Sequence, residues 1–155
     1  IHERKARGDE PIADLEVRAA DLKGIEVPEA LVPLAIDEFP ILFIAAACAT
    51  GETVLRGAHE LRVKESDRLA VMAEGLGTLG VEHELLPDGI PIQGGAGFSG
   101  GLIDSHGDHR IAMSFAVASL RASGPVEIED VANVATSFPG FVASARRAGL
   151  GLEQR

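Results

Sequence analysis

The stretch that most constrains this fold is Phe39–Ala49, FPILFIAAACA, a run with no charged or amide side chain. Its flanks mark a helix. Asp37 stands where a capping residue would, Pro40 falls in the first turn, where a missing N–H has no bond to lose, and Gly51 closes the far end. A helix that is apolar nearly all round cannot lie on a surface, because part of it would face water. A second helix of this kind is predicted from Asp108 to Ala122, where residues 111–120 read IAMSFAVASL. Both are expected to lie inside the domain, enclosed by other elements, strands among them.

The rest of the pattern supplies those strands. ADLEVRA (13–19) alternates apolar and charged residues as a half-buried strand does, and KGIEVPEA (23–30) is a short extended piece closed by Pro28. Further strands are read at 53–58, 81–86, 90–95, within 101–106 and at 125–131, with GLEQ (151–154) as a possible closing one. A charged helix runs from about Glu65 to Leu79, with Leu69, Met72, Ala73 and Leu76 on one stripe and Gly80 at its end. A last helix is read over SFPGFVASARRAGL (137–150).

Two halves of this pass echo one another. Asp37, helix, Gly51, strand, charged loop, helix and Gly80 are matched by Asp108, helix, Gly124, strand, loop, helix and Gly149. ATGETVLRGA (49–58) aligns with ASGPVEIEDV (122–131). An internal repeat of about seventy residues follows, and the class is α/β with buried helices.

Charge and length narrow the function classes. The 155 residues carry a formal net charge of −10, which argues against a broad nucleic-acid surface but is compatible with a local basic pocket. No apolar run reaches the ~18 residues that a membrane span needs. Cys48 is the single cysteine, so no disulfide forms within the chain, which fits a reducing cytoplasm; its apolar surroundings predict a small core residue. The chain opens IHERKARGDEP, without Met or a signal-peptide pattern, as part of a longer polypeptide would.

The polar residues worth singling out share a place. Asp37, the group Lys64, Glu65 and Arg68, and the run Asp108–His109–Arg110 all fall at predicted helix N-termini. Such ends carry free N–H groups and partial positive charge, and they attract anions. If the repeat makes the helices parallel, Lys64, Arg68 and Arg110 gather at one mouth, with the fork and point-charge geometry that carboxylates and phosphates favour. The plainer reading is also open. Glu65, Asp67 and Asp108 compensate helix dipoles in any protein, and the Glu65–Arg68 spacing is that of a surface ion pair. His106, His109 and Asp108 lack the further His or Cys of a tetrahedral site, so no metal is expected. Ser66 and Ser114 read as helix-end and core residues, since no G-x-S-x-G turn is present. His59 and His83 read as surface or strand residues.

LRVKESDRL (61–69) and GDHRIAMSFAVA (107–118) together resemble the paired signatures of the EPSP synthase family. GDEPIADLEVRAADLKGIEVP (8–28), IDEFPILFIAAACATGET (36–53) and ATSFPGF (135–141) fall in the family's order. The resemblance covers nearly the whole chain and implies a C-terminal portion, residues 1–155 being most of the second of two similar domains, with the N-terminal domain outside it. The implied fold is part of an inside-out α/β barrel of repeated βαβαββ units, helices buried and sheets outside. The implied reaction moves the enolpyruvyl group of phosphoenolpyruvate to the 5-hydroxyl of shikimate 3-phosphate in the shikimate pathway. It proceeds by addition and elimination in a cytoplasmic, monomeric enzyme that needs no cofactor.

By the same resemblance, Asp37 contacts the shikimate hydroxyls and is a candidate base. Glu65 is the acid that protonates the enolpyruvyl methylene, and Lys64 lies near the reacting hydroxyl and phosphate. Arg68 and Arg110 hold the phosphoenolpyruvate carboxylate, with His109 close by. The chain departs from many members at Thr136, where they carry a lysine that helps bind phosphoenolpyruvate, the substrate with which the herbicide glyphosate competes. The closest alternative is the related transferase acting on UDP-N-acetylglucosamine; a non-catalytic anion-binding module is another. Convergence of Asp37, Glu65, Arg68 and Arg110 on one face discriminates the catalytic readings from the last.

Overall fold

The computed structural model describes residues 3–7 and 10–154, with side chains from Ile12 onward. In chain order the regular elements begin with β1 (Glu3–Arg7), β2 (Glu10–Asp14), α1 (Phe39–Cys48) and β3 (Gly51–Leu55). They continue with α2 (Arg68–Thr78), β4 (Ile90–Gly94), β5 (Gly101–Asp104) and α3 (His109–Ala118). The last are β6 (Val126–Glu129), α4 (Ala132–Ser137) and α5 (Phe141–Arg147).

The helices α1, α2 and α3 occupy the centre. Phe39, Phe43 and Ile44 of α1, Leu69, Met72 and Leu76 of α2, and Ile111 and Phe115 of α3 belong to one buried cluster. Leu55, Ile90, Ile92 and Ile103 close it from the strands. The approach of α2 to α3 depends on Gly75, because a Cβ there would stand 2.2 Å from Cζ of Phe115. The helix gives up some intrinsic propensity at that glycine and gains a packed aromatic ring in return.

The strands lie outside this layer. β3 pairs antiparallel with β4, from Gly51 opposite Gly94 to Leu55 opposite Ile90. Bridges from Lys23 to Thr50 and from Glu26 to Val54 lay residues 23–26 parallel to β3, and a bridge from His83 to Ile92 adds residues 81–86 along β4. Taken in chain order this is a complete βαβαββ unit. A second begins with β5, α3 and β6, where β5 and β6 pair in parallel as 23–26 and β3 do. The repeat read from the sequence is thus present as topology. β1 and β2 form a separate antiparallel pair.

Several sequence expectations are corrected. Residues 15–22 form no strand, and Leu15 and Val17 are exposed: alternation makes a strand only where a sheet face receives it. The last helix, expected over 137–150, is confined to α5 (Phe141–Arg147), and α4 (Ala132–Ser137) forms ahead of it where no helix is expected; Pro139 between them lacks the N–H needed to continue α4. No strand forms over 151–154, and residues 81–86 pair through bridges alone. Cys48, the last residue of α1, is exposed although Ala47 and Ala49 on either side of it are buried, and Leu42 also reaches the surface. Among the described residues no helix is long and apolar enough to cross a membrane.

Candidate functional site

Three helix starts meet at one place, two capped by an aspartate and the third led in by a 3-10 turn. Residues 59–63 form a 3-10 turn, Lys64 is extended, and Asp67 caps α2 by accepting from the Ala70 N–H at 3.1 Å. The helix therefore begins at Arg68, and Lys64 and Glu65 lie on the connection before it. An Asp gains more as a cap than inside a first turn, which moves the start past the predicted Glu65. Asp108 caps α3, its Oδ1 accepting from the N–H groups of Arg110 at 2.9 Å and Ile111 at 3.4 Å. Asp108 is delivered by a tight turn in which His106 and Gly107 both have positive φ and the Asp108 N–H donates to the Ser105 carbonyl. Asp37 differs. It sits in the 3-10 turn Ile36–Glu38, and α1 has no side-chain cap, so the predicted capping role of Asp37 does not occur.

Arg68 joins the three starts. Its side chain is 1% exposed, and each guanidinium nitrogen is used. Nε donates to Asp108 at 2.8 Å, Nη1 to Asp37 at 2.9 Å and Nη2 to Glu65 at 2.6 Å. Asp108 is fully buried and also accepts from the Ser66 hydroxyl at 3.1 Å, whereas the Asp37 and Glu65 side chains are 47% and 52% exposed. Arg110 reaches back to the start of α1, its Nη1 donating to the Asp37 carbonyl and to Glu38, both at 2.9 Å. Lys64 donates to Glu60 at 2.6 Å and stands 3.5 Å from Asp37. His109 opens α3, half-buried, and its ring makes no hydrogen bond among the described residues.

The charges act on one another. Burial drives the Asp108 carboxyl upward, but the bond and charge of Arg68, the Arg110 N–H and the Ser66 hydroxyl outweigh it and hold the group below the ordinary Asp value. At Asp37 burial again acts upward, and the Arg68 bond with the charges of Lys64, Arg110 and Arg68 reverses it. The Glu60 bond chiefly raises Lys64, and at Arg68 three carboxylates overcome desolvation. All four groups therefore keep their charges at neutral pH.

The structure brings Asp37, Lys64, Glu65, Arg68 and Arg110 into one bonded network, with His109 beside it. The network differs from the expected mouth in three ways. Arg68 is sealed by carboxylates instead of open to an anion. The N-termini of α2 and α3 are occupied by Asp67 and Asp108. The single mouth is divided: Asp37 and Arg110 line a hollow of about 210 Å³ with Met113, Phe138 and Phe141, while Glu65 lines another of about 390 Å³ with Glu74 and His106. Among the described residues three cations here face five carboxylates, counting Glu38 and Glu60. Sequence reasoning passed over Glu38, Glu60 and Arg62. Glu60 is four residues before Lys64, a helical pair spacing that was available to it; the partners of Arg62 at Leu86 and Pro87 were not. Thr136 is exposed near the end of α4. Among the described residues no group of three or more His, Cys, Asp or Glu is placed to hold a metal ion.

A repeated α/β unit with enclosed helices, whose N-termini meet in a network of arginine, lysine and carboxylates, defines a domain built around one polar corner. Comparison with known proteins gives the particular family. The profile described as EPSP synthase (3-phosphoshikimate 1-carboxyvinyltransferase) matches residues 6–144, and the chain belongs to that family. It is 64% identical over 152 residues to the 3-phosphoshikimate 1-carboxyvinyltransferase of Alkalilimnicola ehrlichii, covering 98% of this chain and 34% of that protein. The protein of the same name from Halorhodospira halophila is 68% identical over 146 residues, covering 94% of this chain and 33% of its own length. A solved EPSP synthase from Acinetobacter baumannii superposes with a TM-score of 0.94 at 56% identity, over 97% of this chain and 36% of that one. The chain thus spans about a third of the relatives it matches, and its fold is that of the EPSP synthases.

Proposed function

We propose that this chain is a C-terminal portion of an enzyme that transfers the enolpyruvyl group of phosphoenolpyruvate to the 5-hydroxyl of shikimate 3-phosphate and releases phosphate. The observation that carries the reading is the pair of half-exposed carboxylates, Asp37 and Glu65, each held by one nitrogen of the same buried arginine. A proton donor and a proton acceptor for an addition–elimination must be fixed close together yet reachable, and these two meet both conditions.

In the reaction, the substrate hydroxyl oxygen bonds to C2 of phosphoenolpyruvate as C3 gains a proton; loss of that proton and of phosphate then restores the double bond. Glu65 serves as the group that gives and retakes the C3 proton, and Asp37 as the base toward the hydroxyl. Arg110 and Lys64 face the negative charge that develops, with His109 adjacent. A substrate carboxylate reaches Arg68 by taking the place of Glu65 or Asp37, which frees the displaced carboxylate for proton transfer. Because carboxylates outnumber cations in this corner, the cations that hold two polyanionic substrates come in part from the remainder of the polypeptide. The 155 residues alone should therefore show no turnover. The family resemblance supports a cytoplasmic monomer for the whole enzyme.

The test uses the full-length polypeptide carrying this segment, with phosphate release measured from both substrates. Glu65→Gln should lower kcat by about 10²–10⁴-fold with little change in ground-state binding. A near-normal kcat overturns the acid assignment. Turnover with UDP-N-acetylglucosamine as acceptor, and none with shikimate 3-phosphate, would transfer the reading to the related enzyme.

A further inference from the structure

We infer that Arg62 and Asp67 form a clasp that positions the segment Lys64–Ser66, and so Glu65, for the reaction; this rests on the function proposed above. Arg62 Nη1 donates to Asp67 Oδ2 at 2.7 Å. The bridge closes a short loop whose enclosed residues are Val63, Lys64, Glu65 and Ser66. Its two ends are anchored differently. At one end the other oxygen of Asp67 caps α2, so the carboxylate is tied to the helix that begins with Arg68. At the other, Arg62 Nε donates to the Pro87 carbonyl at 2.6 Å and Nη2 to the Leu86 carbonyl at 2.7 Å.

Those carbonyls belong to a turn that the sheet holds fixed. The Leu86 N–H donates to the Gly89 carbonyl, and Asp88 accepts from the Gly57 N–H through its side chain at 3.0 Å and from the Ala58 N–H through its carbonyl at 2.7 Å. Gly89 passes so close to β3 that a Cβ would stand 2.0 Å from the Leu55 carbonyl oxygen. The sheet therefore fixes the turn, the turn fixes the Arg62 fork, and the fork fixes the base of the loop. Only a planar guanidinium reaches three acceptors in this way. The Arg62 and Asp67 side chains are 28% and 37% exposed, so the ion pair adds little to global stability. Its consequence is geometric: Glu65 is two residues from Asp67 and three from Arg62, and small misplacements of a reacting group are costly to rate.

The test again uses the full-length polypeptide. Arg62→Ala should lower kcat by about 10–100-fold, leave KM for phosphoenolpyruvate nearly unchanged, and scarcely move the melting temperature. Backbone amides of residues 64–66 should exchange with solvent faster. Arg62→Lys should recover only a fraction of the loss. Combining Arg62→Ala with Asp67→Asn, which keeps an oxygen for the cap, should cost no more in kcat than Arg62→Ala alone. The clasp is refuted if amide exchange at 64–66 is unchanged, if kcat holds while exchange accelerates, or if the two losses multiply. An unsubstituted polypeptide that fails to transfer enolpyruvyl refutes the proposed function instead, and amide exchange then decides the clasp by itself.

Discussion

Asp37 and Asp108 precede the two apolar helices at matching points of the repeat, and both bond to Arg68, yet one is half-exposed and the other fully buried. Asp108 spends one oxygen on the N-terminus of α3 and the other on Arg68 and Ser66. Its full set of partners is supplied from within the fold. Asp37 caps nothing, and α1 starts from a 3-10 turn instead. The two halves have thus divided the work of one sequence feature. The closed aspartate builds the frame, and the open one keeps a half-exposed carboxylate.

The comparison can be broken most sharply at Arg68, which serves both. Arg68→Met should destabilise the chain by about 3–5 kcal/mol, because Asp108 would remain buried without its counter-ion. Urea denaturation measures this, and a loss below about 1 kcal/mol would mean that the guanidinium is not the shared counter-ion. Next comes the contrast between the aspartates. Asp108→Ala should cost about 2–3 kcal/mol through the lost cap and the exposed need of Arg68. Asp37→Ala should cost under about 1 kcal/mol, since a half-exposed ion pair is screened. Equal losses would dissolve the distinction.

Gly75→Ala tests the packing that brings the two starts together. The new methyl would overlap the Phe115 ring and should cost about 1–3 kcal/mol by thermal unfolding. The smallest effect is on pH dependence. Both aspartates titrate below the ordinary value of 3.8, so their contribution is present above that pH and is lost as the pH falls through their lowered values. Acid unfolding followed by circular dichroism should show a shallower dependence below about pH 3.8 in Asp108→Asn, with a lesser change in Asp37→Asn. An unchanged acid limb in Asp108→Asn would contradict the charge network.

The helices were legible because their signals are local. Pro40, Gly80 and the apolar runs lie within a few residues of the boundaries they set, and α1, α2 and α3 appear within a few residues of where they are expected. Errors arose where a local pattern needed a distant partner. Leu15 and Val17 alternate correctly but receive no sheet face, and Cys48 faces outward between the buried Ala47 and Ala49. The start of α2 was misplaced by three residues because Lys64, Glu65 and Asp67 all suit a first turn, and the bond from Asp67 to Ala70 chose among them. At the site, the residue types and their grouping were readable, while the state of Arg68 was not. Two of its carboxylate partners are 31 and 40 residues away in the chain.

Enclosed helices in a repeated α/β pattern, with polar residues collected at helix starts, can be read from the residues alone. Periodicity, proline and glycine act over a few residues, so a linear reading reaches them. Packing settles which of two equivalent aspartates is buried, that Arg68 is neutralised instead of open, and that a turn 24 and 25 residues away holds Arg62. Burial and ion pairing depend on what lies across the core, and only the packed helices determine that.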